Sequence, residues 1–250
     1  MKRRTLWACY VTLGALLLLA GNAGGTEMID LGTLGGNLSG ARAINASGDI
    51  VGYSTKTPSI ADNHAFVYSG GLMHDLGTLG GKSSIARGIN AIGQIVGEST
   101  TSAGYTHAFS YSGGAMHDLG TLGKNYSIAY DINNRGQVVG VSSTTVGYLH
   151  AFLYSGGVMH DLGTLAKNYS IAYGINNHGQ IVGVSTTATG DLHAFLYFRG
   201  EMQDLDTLGG KHSIARAIND AGQIVGLSTT SEKQIHAFLY SHISVRLSQS

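Results

Sequence analysis

Apolar residues in this chain fall in short runs rich in β-branched and aromatic residues, each bounded by Gly, Asn or Ser, and no helical period is present. Residues 127–132 form one run, Asn133 to Gly136 a turn, and residues 137–142 the returning run. After a loop, residues 150–154 and 158–162 form a second pair around Ser-Gly-Gly. The pattern predicts two β-hairpins, and therefore four strands, in this part of the chain.

The same pattern recurs in tandem along the chain. The tripeptide His-Ala-Phe occurs at a constant spacing of 43 residues and begins at His64, His107, His150, His193 and His236. A fixed period of this length indicates one supersecondary unit copied in an array, either a propeller or a solenoid. A four-stranded antiparallel sheet in a unit of this size is typical of a propeller blade. The phenylalanines of the repeat, and the methionine column from Met28 to Met202, are expected in the core.

The two ends of the array match complementary strands of the unit. Residues 28–31 resemble the fourth strand, and residues 236–240 match the third. We therefore predict an all-β, five-bladed β-propeller of four-stranded antiparallel blades, closed by the N-terminal strand pairing with the last blade. The alternative is an open β-solenoid, which has no reason to begin and end at complementary strands.

The first 23 residues have the pattern of a secretory signal peptide. Lys2, Arg3 and Arg4 precede an apolar run over residues 6–20, and small residues follow. The run is shorter than the roughly 20 residues that a membrane-spanning helix needs. We expect residues 1–23 to be removed, residues 24–250 to form a single domain, and the mature protein to be extracellular or periplasmic with no membrane span.

Removing that segment changes which functions the composition allows. Cys9 and Trp7 are lost, so the mature chain has neither residue type, which excludes disulfides, thiolate chemistry and Cys-ligated metals. Twelve basic and fifteen acidic residues remain, without a basic cluster. Nucleic acid is therefore not expected as a partner, and no cofactor is predicted.

Three motifs recur in the same order: His-Ala-Phe-x-Tyr-Ser-Gly-Gly, Met-x-Asp-Leu-Gly-Thr-Leu-Gly-Gly and Ile-Asn-x-x-Gly-Gln-Ile-Val-Gly. This set resembles the bacterial family called probable extracellular repeat, HAF family, over residues 28–241. The resemblance implies secreted proteins of undefined molecular function, with no catalytic residues to transfer. The strand order is also similar to that of kelch propellers, which implies that Ser-Ile-Ala begins the innermost strand, although the kelch tryptophan is missing.

Two polar columns fall on the second hairpin of the unit. A second histidine faces the His-Ala-Phe strand in three repeats, and a pair of histidines there could bind a metal. The fourth repeat has Gln203 instead, which favours half-buried histidines bonded to neighbouring blades and predicts no metal site. The aspartate before Leu-Gly-Thr is expected to accept hydrogen bonds from nearby backbone N–H groups. The aspartate column is Asp30, Asp75, Asp118, Asp161 and Asp204.

The fourth residue of the innermost strand varies between repeats, and variation on a constant scaffold is where binding differences arise. The five residues are candidates for binding a small anion or a sugar at the mouth of a central channel, or else their stems pack between blades with their heads in solvent. They are Arg42, Arg87, Tyr130, Tyr173 and Arg216.

The sequence thus favours a secreted, non-enzymatic repeat protein that acts as a binding or structural module for a small molecule, a glycan or a protein. A lectin with one sugar site per blade is the first alternative; the missing Trp argues against it, although Tyr can replace Trp in stacking. A glycan-active hydrolase is the second. It requires two nearby carboxylates in different environments, whereas the aspartate column offers one equivalent carboxylate per repeat, so no catalytic residue is predicted.

Overall fold

The computed structural model describes residues 27–59 and 62–241, and within them it contains 19 β-strands and no helix. Repeat 1 consists of β1 (Ser39–Ile44), β2 (Ile50–Thr55), β3 (Asn63–Ser69) and β4 (Leu72–Asp75). Repeat 2 consists of β5 (Gly80–Ile89), β6 (Ile95–Thr101), β7 (Thr106–Ser112) and β8 (Ala115–Asp118). Repeat 3 consists of β9 (Gly123–Ile132), β10 (Val138–Thr144), β11 (Leu149–Ser155) and β12 (Val158–Asp161).

Repeats 4 and 5 continue the series. Repeat 4 consists of β13 (Ser170–Ile175), β14 (Ile181–Thr186), β15 (Leu192–Phe198) and β16 (Glu201–Asp204). Repeat 5 consists of β17 (Gly209–Ile218), β18 (Ile224–Thr230) and β19 (Ile235–Tyr240). The predicted strand order within a repeat is confirmed, because each repeat is an antiparallel meander in which every strand pairs with the next. A single parallel pairing of Thr106 with Tyr126 joins repeats 2 and 3 into one eight-stranded sheet.

The fifth sheet has only three strands, and the predicted closing strand is not formed in this structure. Residues Glu27 to Asp30 carry no strand and belong to a unit separate from the one that begins at Leu31. Met28, expected in the core, is 98% exposed. In the described ranges, β18 is the only strand that pairs with β19. The predicted signal peptide, residues 1–23, and the tail after Ser241 lie outside the described residues.

The turn between the first two strands explains the Asn-x-x-Gly motif. In repeat 3, the side-chain oxygen of Asn133 accepts hydrogen bonds from the backbone N–H groups of Arg135 and Gln137, both at 3.0 Å. Gly136 completes the turn with a φ of 74°, a conformation that side chains disfavour. The glycine that ends Gln-x-Val-Gly is needed for a different reason. A Cβ at Gly140 would overlap the carbonyl oxygen of Ile128 on the facing strand.

The core lies between consecutive sheets. In repeats 1 to 4 the leading face is formed by the Val before that glycine, the Ala of His-Ala-Phe and the Leu of Asp-Leu; within the described residues, repeat 5 supplies only the Val and the Ala. The trailing face of a repeat is formed by an Ala, the Phe and two Ile, one of which is replaced by Val138 in repeat 3. Between repeats 3 and 4, the leading face of Val139, Ala151 and Leu162 packs on the trailing face. That trailing face consists of Ala172, Ile175, Ile181 and Phe195. The core prediction for Phe is confirmed at Phe66, Phe109, Phe152 and Phe195, all at most 1% exposed.

In repeats 2 to 5, a buried serine on the first strand bonds that strand to the preceding repeat. Ser170 Oγ accepts the backbone N–H of Ala151 at 2.8 Å and donates to the carbonyl oxygen of Gly163 at 2.6 Å. The same bond from the preceding repeat is made to Ser84, Ser127 and Ser213, each at 2.8 Å. Because an unpaired buried N–H is costly, these bonds fix the spacing of the sheets.

Candidate functional site

All five candidate residues of the innermost strand occupy a β-bulge. The pairing of the first two strands skips one residue in every repeat, and the skipped residue is the candidate itself. In repeat 3, for example, Val139 pairs with Asp131 and Gly140 with Ala129, so Tyr130 is left out of the ladder. A bulge frees a side chain from the alternation of the strand and redirects it. The same irregularity of the backbone therefore presents the candidate side chain in each repeat.

The bulges bring four of the five candidates into one continuous stack, which we call the bulge ladder. The guanidinium of Arg87 lies 5.2 Å from the centre of the Tyr130 ring, and that of Arg216 lies 4.7 Å from the centre of the Tyr173 ring. The two tyrosine rings meet edge to face, with their centres 5.3 Å apart. Cation–π and edge-to-face contacts of this kind are attractive. The ladder, Arg87–Tyr130–Tyr173–Arg216, thus spans repeats 2 to 5.

The fifth candidate, Arg42, is not part of the ladder. Its guanidinium lies 5.3 Å from the ring centre of Tyr53, which is in the same repeat. Repeat 1 also lacks the isoleucine that precedes the bulge in the other repeats and has Gly40 there. A Cβ at Gly40 would collide with the Tyr53 ring. In repeat 1 the Tyr53 ring therefore occupies the space that the isoleucine side chain fills in the other repeats, and Arg42 stacks on that ring.

The two ends of the ladder differ in charge. Glu98 forms a bidentate ion pair with Arg87, through Nε at 2.6 Å and Nη2 at 2.8 Å, and both side chains are largely buried. Burial opposes the charge of Arg87, but the hydrogen bonds and charge of Glu98 outweigh it and raise the arginine pKa. At the other end Arg216 is exposed, and it forms no ion pair with any carboxylate of residues 27–59 and 62–241. The charge of Arg87, at one end of the ladder, is therefore neutralised by Glu98, whereas the charge of Arg216, at the other end, is not paired with a carboxylate of the described residues.

The tyrosines around the ladder are held in their neutral form. Burial raises the pKa of Tyr130 to about 12, against an opposing effect of the Arg87 charge. Burial also raises the pKa of Tyr126 and of Tyr169, which precede the bulges of repeats 3 and 4. At neutral pH these groups offer phenol hydroxyls and ring faces rather than charge. Arg216 is the group of the ladder whose positive charge is available to a ligand.

A second polar feature that sequence reasoning missed is a series of asparagines that links consecutive repeats. In repeats 1 to 4 the Asn of this turn also donates to the next repeat, as Asn133 Nδ2 does to the Asn176 carbonyl oxygen at 3.0 Å. The Ile-Asn turns of all five repeats line one pocket with a volume of 360 Å³. The five turns therefore converge at one place. The Ile-Asn column was visible in the sequence, but nothing in it showed that the amide bridges two repeats.

The histidine column makes a different contact from the one predicted. His150 Nδ1 bonds the Asp161 carboxylate of its own hairpin at 2.9 and 3.0 Å, so the expected bond to a neighbouring repeat is wrong. The same pairing occurs in repeats 1, 2 and 4. The aspartate prediction is confirmed, since Asp161 also accepts the backbone N–H of Gly163 at 2.8 Å. His160 projects from the opposite face of the sheet to His150, because neighbouring positions alternate.

Residues 27–59 and 62–241 hold no cluster of three or more His, Cys, Asp or Glu side chains arranged for a metal ion. The same residues include no helix long and apolar enough to cross a lipid bilayer.

One acidic residue near the ladder, which the sequence did not single out, is Asp131, directly after the bulge at Tyr130. Its carboxylate accepts the N–H of Ile132 at 2.8 Å and, from the next repeat, that of Ile175 at 2.9 Å.

Comparison with known proteins gives structural but not sequence relatives. No family model matches the chain, and no curated protein matches its sequence. TolB from Acinetobacter baumannii superposes with a TM-score of 0.52 at 13% identity, over 82% of this chain and 55% of that one. The chain thus corresponds to just over half the length of TolB. The Aleuria aurantia lectin, described as a six-bladed β-propeller, matches at a TM-score of 0.40 and 13% identity, over 81% and 74% of the two chains.

A third relative is a gluconolactonase from Xanthomonas campestris, with a TM-score of 0.45 and 11% identity over 84% of this chain and 79% of that one. At such low identities a structural likeness shows the fold alone. The described strands make this an all-β protein, and its structural neighbours include TolB and a lectin described as a β-propeller.

Proposed function

We propose that the protein is a secreted, non-enzymatic binding module that takes a small organic anion at the bulge ladder. The observation that carries this proposal is the free guanidinium of Arg216 stacked on Tyr173 at the open end of the ladder. A guanidinium recognises a carboxylate through paired N–H donors, and a tyrosine ring beside it offers a flat surface for the rest of the ligand. Arg87 serves as a support, since Glu98 already occupies its donors.

The same geometry argues against catalysis at this place. Hydrolysis of a glycan needs one carboxyl group that protonates the leaving oxygen and a second that acts as a base or nucleophile. Glu98 is committed to Arg87, and Asp131 is committed to two backbone N–H groups. The ladder itself contains arginine and tyrosine, which recognise charge and ring surfaces.

Binding of a matched pair of ligands tests the proposal. Galacturonate and galactose differ in the carboxylate, so isothermal titration of both separates recognition of the anion from recognition of the sugar ring. We expect galacturonate to bind more tightly than galactose and Arg216→Ala to weaken it at least tenfold. The control is Arg199→Asn, which removes another guanidinium stacked on a ring, 5.1 Å from Phe198, at a backbone position that Asn tolerates. Equal binding to wild type and Arg216→Ala would refute the assignment.

We further propose that the five repeats are blades of one closed propeller and that the chain is a secreted protein of the HAF repeat kind. The convergence of all five Ile-Asn turns on one pocket supports a ring rather than a straight solenoid. The leading face of repeat 5 and the trailing face of repeat 1 have the composition of two surfaces that pack together between the other repeats. Residues 28–31 would supply the missing fourth strand beside β19, with Ile29 opposite Leu239, as Gln203 is opposite Leu196.

A disulfide cross-link tests this closure. With Cys9 replaced by Ser, the double variant Ile29→Cys and Leu239→Cys should form an intramolecular bond on oxidation, because facing residues of paired strands lie within disulfide distance. We expect a monomer with increased mobility on a non-reducing gel. A matched pair, Ile29→Cys with Ile235→Cys, should not cross-link, because Ile235 is at the far end of β19. Free thiols in the first variant would disprove the closing strand.

A further inference from the structure

Where the third strand of one repeat begins beside the first strand of the next, a cleft is present between repeats 3 and 4 and between repeats 4 and 5. Between repeats 3 and 4 the cleft has a volume of 410 Å³. Its lining residues are Tyr148, His150, Ala166, Lys167 and Asn168. None of these residues belongs to the bulge ladder, so the cleft is a separate feature of the molecule.

The residues that line this cleft recur one repeat earlier. Tyr105, His107, Lys124 and Asn125 stand 43 residues before Tyr148, His150, Lys167 and Asn168. Between repeats 4 and 5 the positions differ, with Asp191 in place of the tyrosine and Gly210 in place of the lysine. That cleft has a volume of 560 Å³ and is lined by Thr187 and Thr189 as well. The set of Tyr, His, Lys and Asn thus occurs together at two of the boundaries.

The tyrosine is held in place while its ring remains accessible. Tyr148 is 47% exposed and Tyr105 is 46% exposed, which is unusual for aromatic rings in a molecule that buries its phenylalanines. The backbone of Tyr148 is fixed by a tight turn, since the Thr144 N–H donates to its carbonyl oxygen at 2.8 Å and its own N–H donates to Thr144 Oγ1 at 3.2 Å. An exposed ring on a backbone that is held in place is a ready surface for the C–H face of a pyranose.

The histidine gives each of these two boundaries an unsatisfied acceptor. His150 Nδ1 faces a carboxylate, so it carries the proton, and in the neutral ring Nε2 is left as an acceptor. Among the residues that the structure describes, Nε2 of His150 and of His107 are buried and have no hydrogen-bond partner. These are the histidines of the two boundaries that carry the tyrosine. A buried polar atom without a partner is costly, and a donor that reaches it removes the cost.

We propose that the boundaries of repeats 2 with 3 and 3 with 4 each bind a saccharide. The tyrosine ring stacks on the apolar face of the sugar, the histidine Nε2 accepts from a sugar hydroxyl, and the Lys and Asn side chains bond further hydroxyls or a carboxylate. Convergence of one aromatic surface with several polar groups is what recognition of a polyhydroxylated ligand requires. This site is independent of the bulge ladder and of any ligand bound there.

The full-length chain is first applied to a glycan array that carries neutral and uronate-bearing oligosaccharides. The oligosaccharide that binds most strongly is then titrated into the full-length chain to give the number of sites. We expect two equivalent sites per chain. Tyr105→Ala or Tyr148→Ala should leave one site, and the double variant should lose at least tenfold in affinity at both. The double variant with Phe at both positions should retain binding, because the ring is preserved. Asp191→Ala, in the cleft between repeats 4 and 5, is the control that should leave glycan binding unchanged.

The two proposed sites fail in distinguishable ways. Binding that survives the double alanine variant but is lost with Arg216→Ala belongs to the bulge ladder and overturns the cleft assignment. An array without any bound glycan, or binding that the double alanine variant leaves intact, overturns it as well. Thermal unfolding of each variant is measured alongside, and loss of binding counts only where the unfolding temperature matches wild type.

Discussion

Repeats 4 and 5 present the same leading face to different surroundings. In repeat 4, Val182 and Ala194 are fully buried against repeat 5. In repeat 5 the equivalent Val225 is 46% exposed, and Ala237 is exposed as well. Leu239 on the same strand is 62% exposed. The sequences of the two faces are nearly identical, so the difference lies in what covers them.

The polar contacts show the same contrast. Asn176 Nδ2 donates to the Asn219 carbonyl oxygen at 3.0 Å, whereas within the described residues Asn219 Nδ2 donates only to the Gln223 side chain of its own turn. At the other end, Ser39 donates to Gly32 but receives no N–H from another repeat in those same ranges, unlike the four later serines. Each repeat therefore carries a leading face and a trailing face, and a face that no other repeat covers is a place where a matching surface fits. Contiguous exposed apolar surface beside an unpaired strand edge is normally covered in a native protein.

The largest effect is expected from a charge placed on this face. Val182→Asp should lower the free energy of unfolding by about 3 to 5 kcal/mol, because it leaves an uncompensated charge between two sheets. In the closed ring that we propose, Val225→Asp should approach the same loss, since Val225 would be buried against Ile44 of repeat 1. Urea unfolding followed by circular dichroism gives both values.

The outcome for Val225→Asp decides between the open and the closed arrangement. A change within about 0.5 kcal/mol is typical of a surface substitution and would show that the face stays exposed in solution. If the wild type forms an oligomer and Val225→Asp does not, a second copy of the chain covers the face instead. Val182→Asp is the internal reference, since its site is buried in either arrangement.

A smaller effect is expected from the serine bridge. Ser213→Ala should cost about 1 to 3 kcal/mol, because the buried N–H of Ala194 loses its only described partner at 2.8 Å. Ser39→Ala should cost as much if closure delivers the N–H of Ala237 to Ser39. A loss at Ser39 well below that at Ser213 would mean that the fifth bridge is not made. Both substitutions are measured by the same unfolding assay.

The sequence predicted most of this architecture but not the contacts that make the site. The period of 43 and the alternating runs predicted the strands, their order and the column that contains Arg87 and Tyr130. The bulge was not predictable, because a register shift arises from pairing with β10 and leaves the run from Ser127 to Ile132 unchanged in appearance. The link between His150 and Asp161 was missed for a similar reason. It depends on the register of two strands, and each residue had a satisfactory local explanation alone.

The closing strand is a feature that the sequence predicted and the structure does not form. Residues 28–31 carry the Met-x-Asp-Leu motif of the fourth strand, yet they form no strand in the structure. In the interior repeats, the preceding turn holds the fourth strand beside the third, as Ser-Gly-Gly does between β11 and β12. A strand supplied from the far end of the chain has no such turn and must meet the entropy of closing a long loop. A local motif alone does not determine that pairing.

The smallest expected effect concerns Asp131, which distinguishes the joint between repeats 3 and 4 from the joint between repeats 4 and 5, where Gly174 takes its place. Burial raises the pKa of Asp131 above its ordinary 3.8, against the opposing hydrogen bonds from the backbone of Ile175 and Ile132. A raised carboxyl pKa in the folded state contributes stability that is complete below the unfolded pKa and is lost as the pH rises through the folded value. Asp131→Asn should therefore gain stability relative to wild type as the pH rises.

The matched control for this prediction has the opposite sign. The side-chain hydrogen bond from Thr189 lowers the pKa of the exposed Asp191, so its contribution is present above the unfolded pKa and is lost as the pH falls. Urea unfolding at intervals from pH about 4 to about 8 should show the difference between Asp131→Asn and wild type rising with pH, while Asp191→Asn loses stability relative to wild type at the neutral end. A flat difference for Asp131→Asn would mean that its carboxylate is solvated, and that the joint between repeats 3 and 4 is as open to water as the uncovered face of repeat 5.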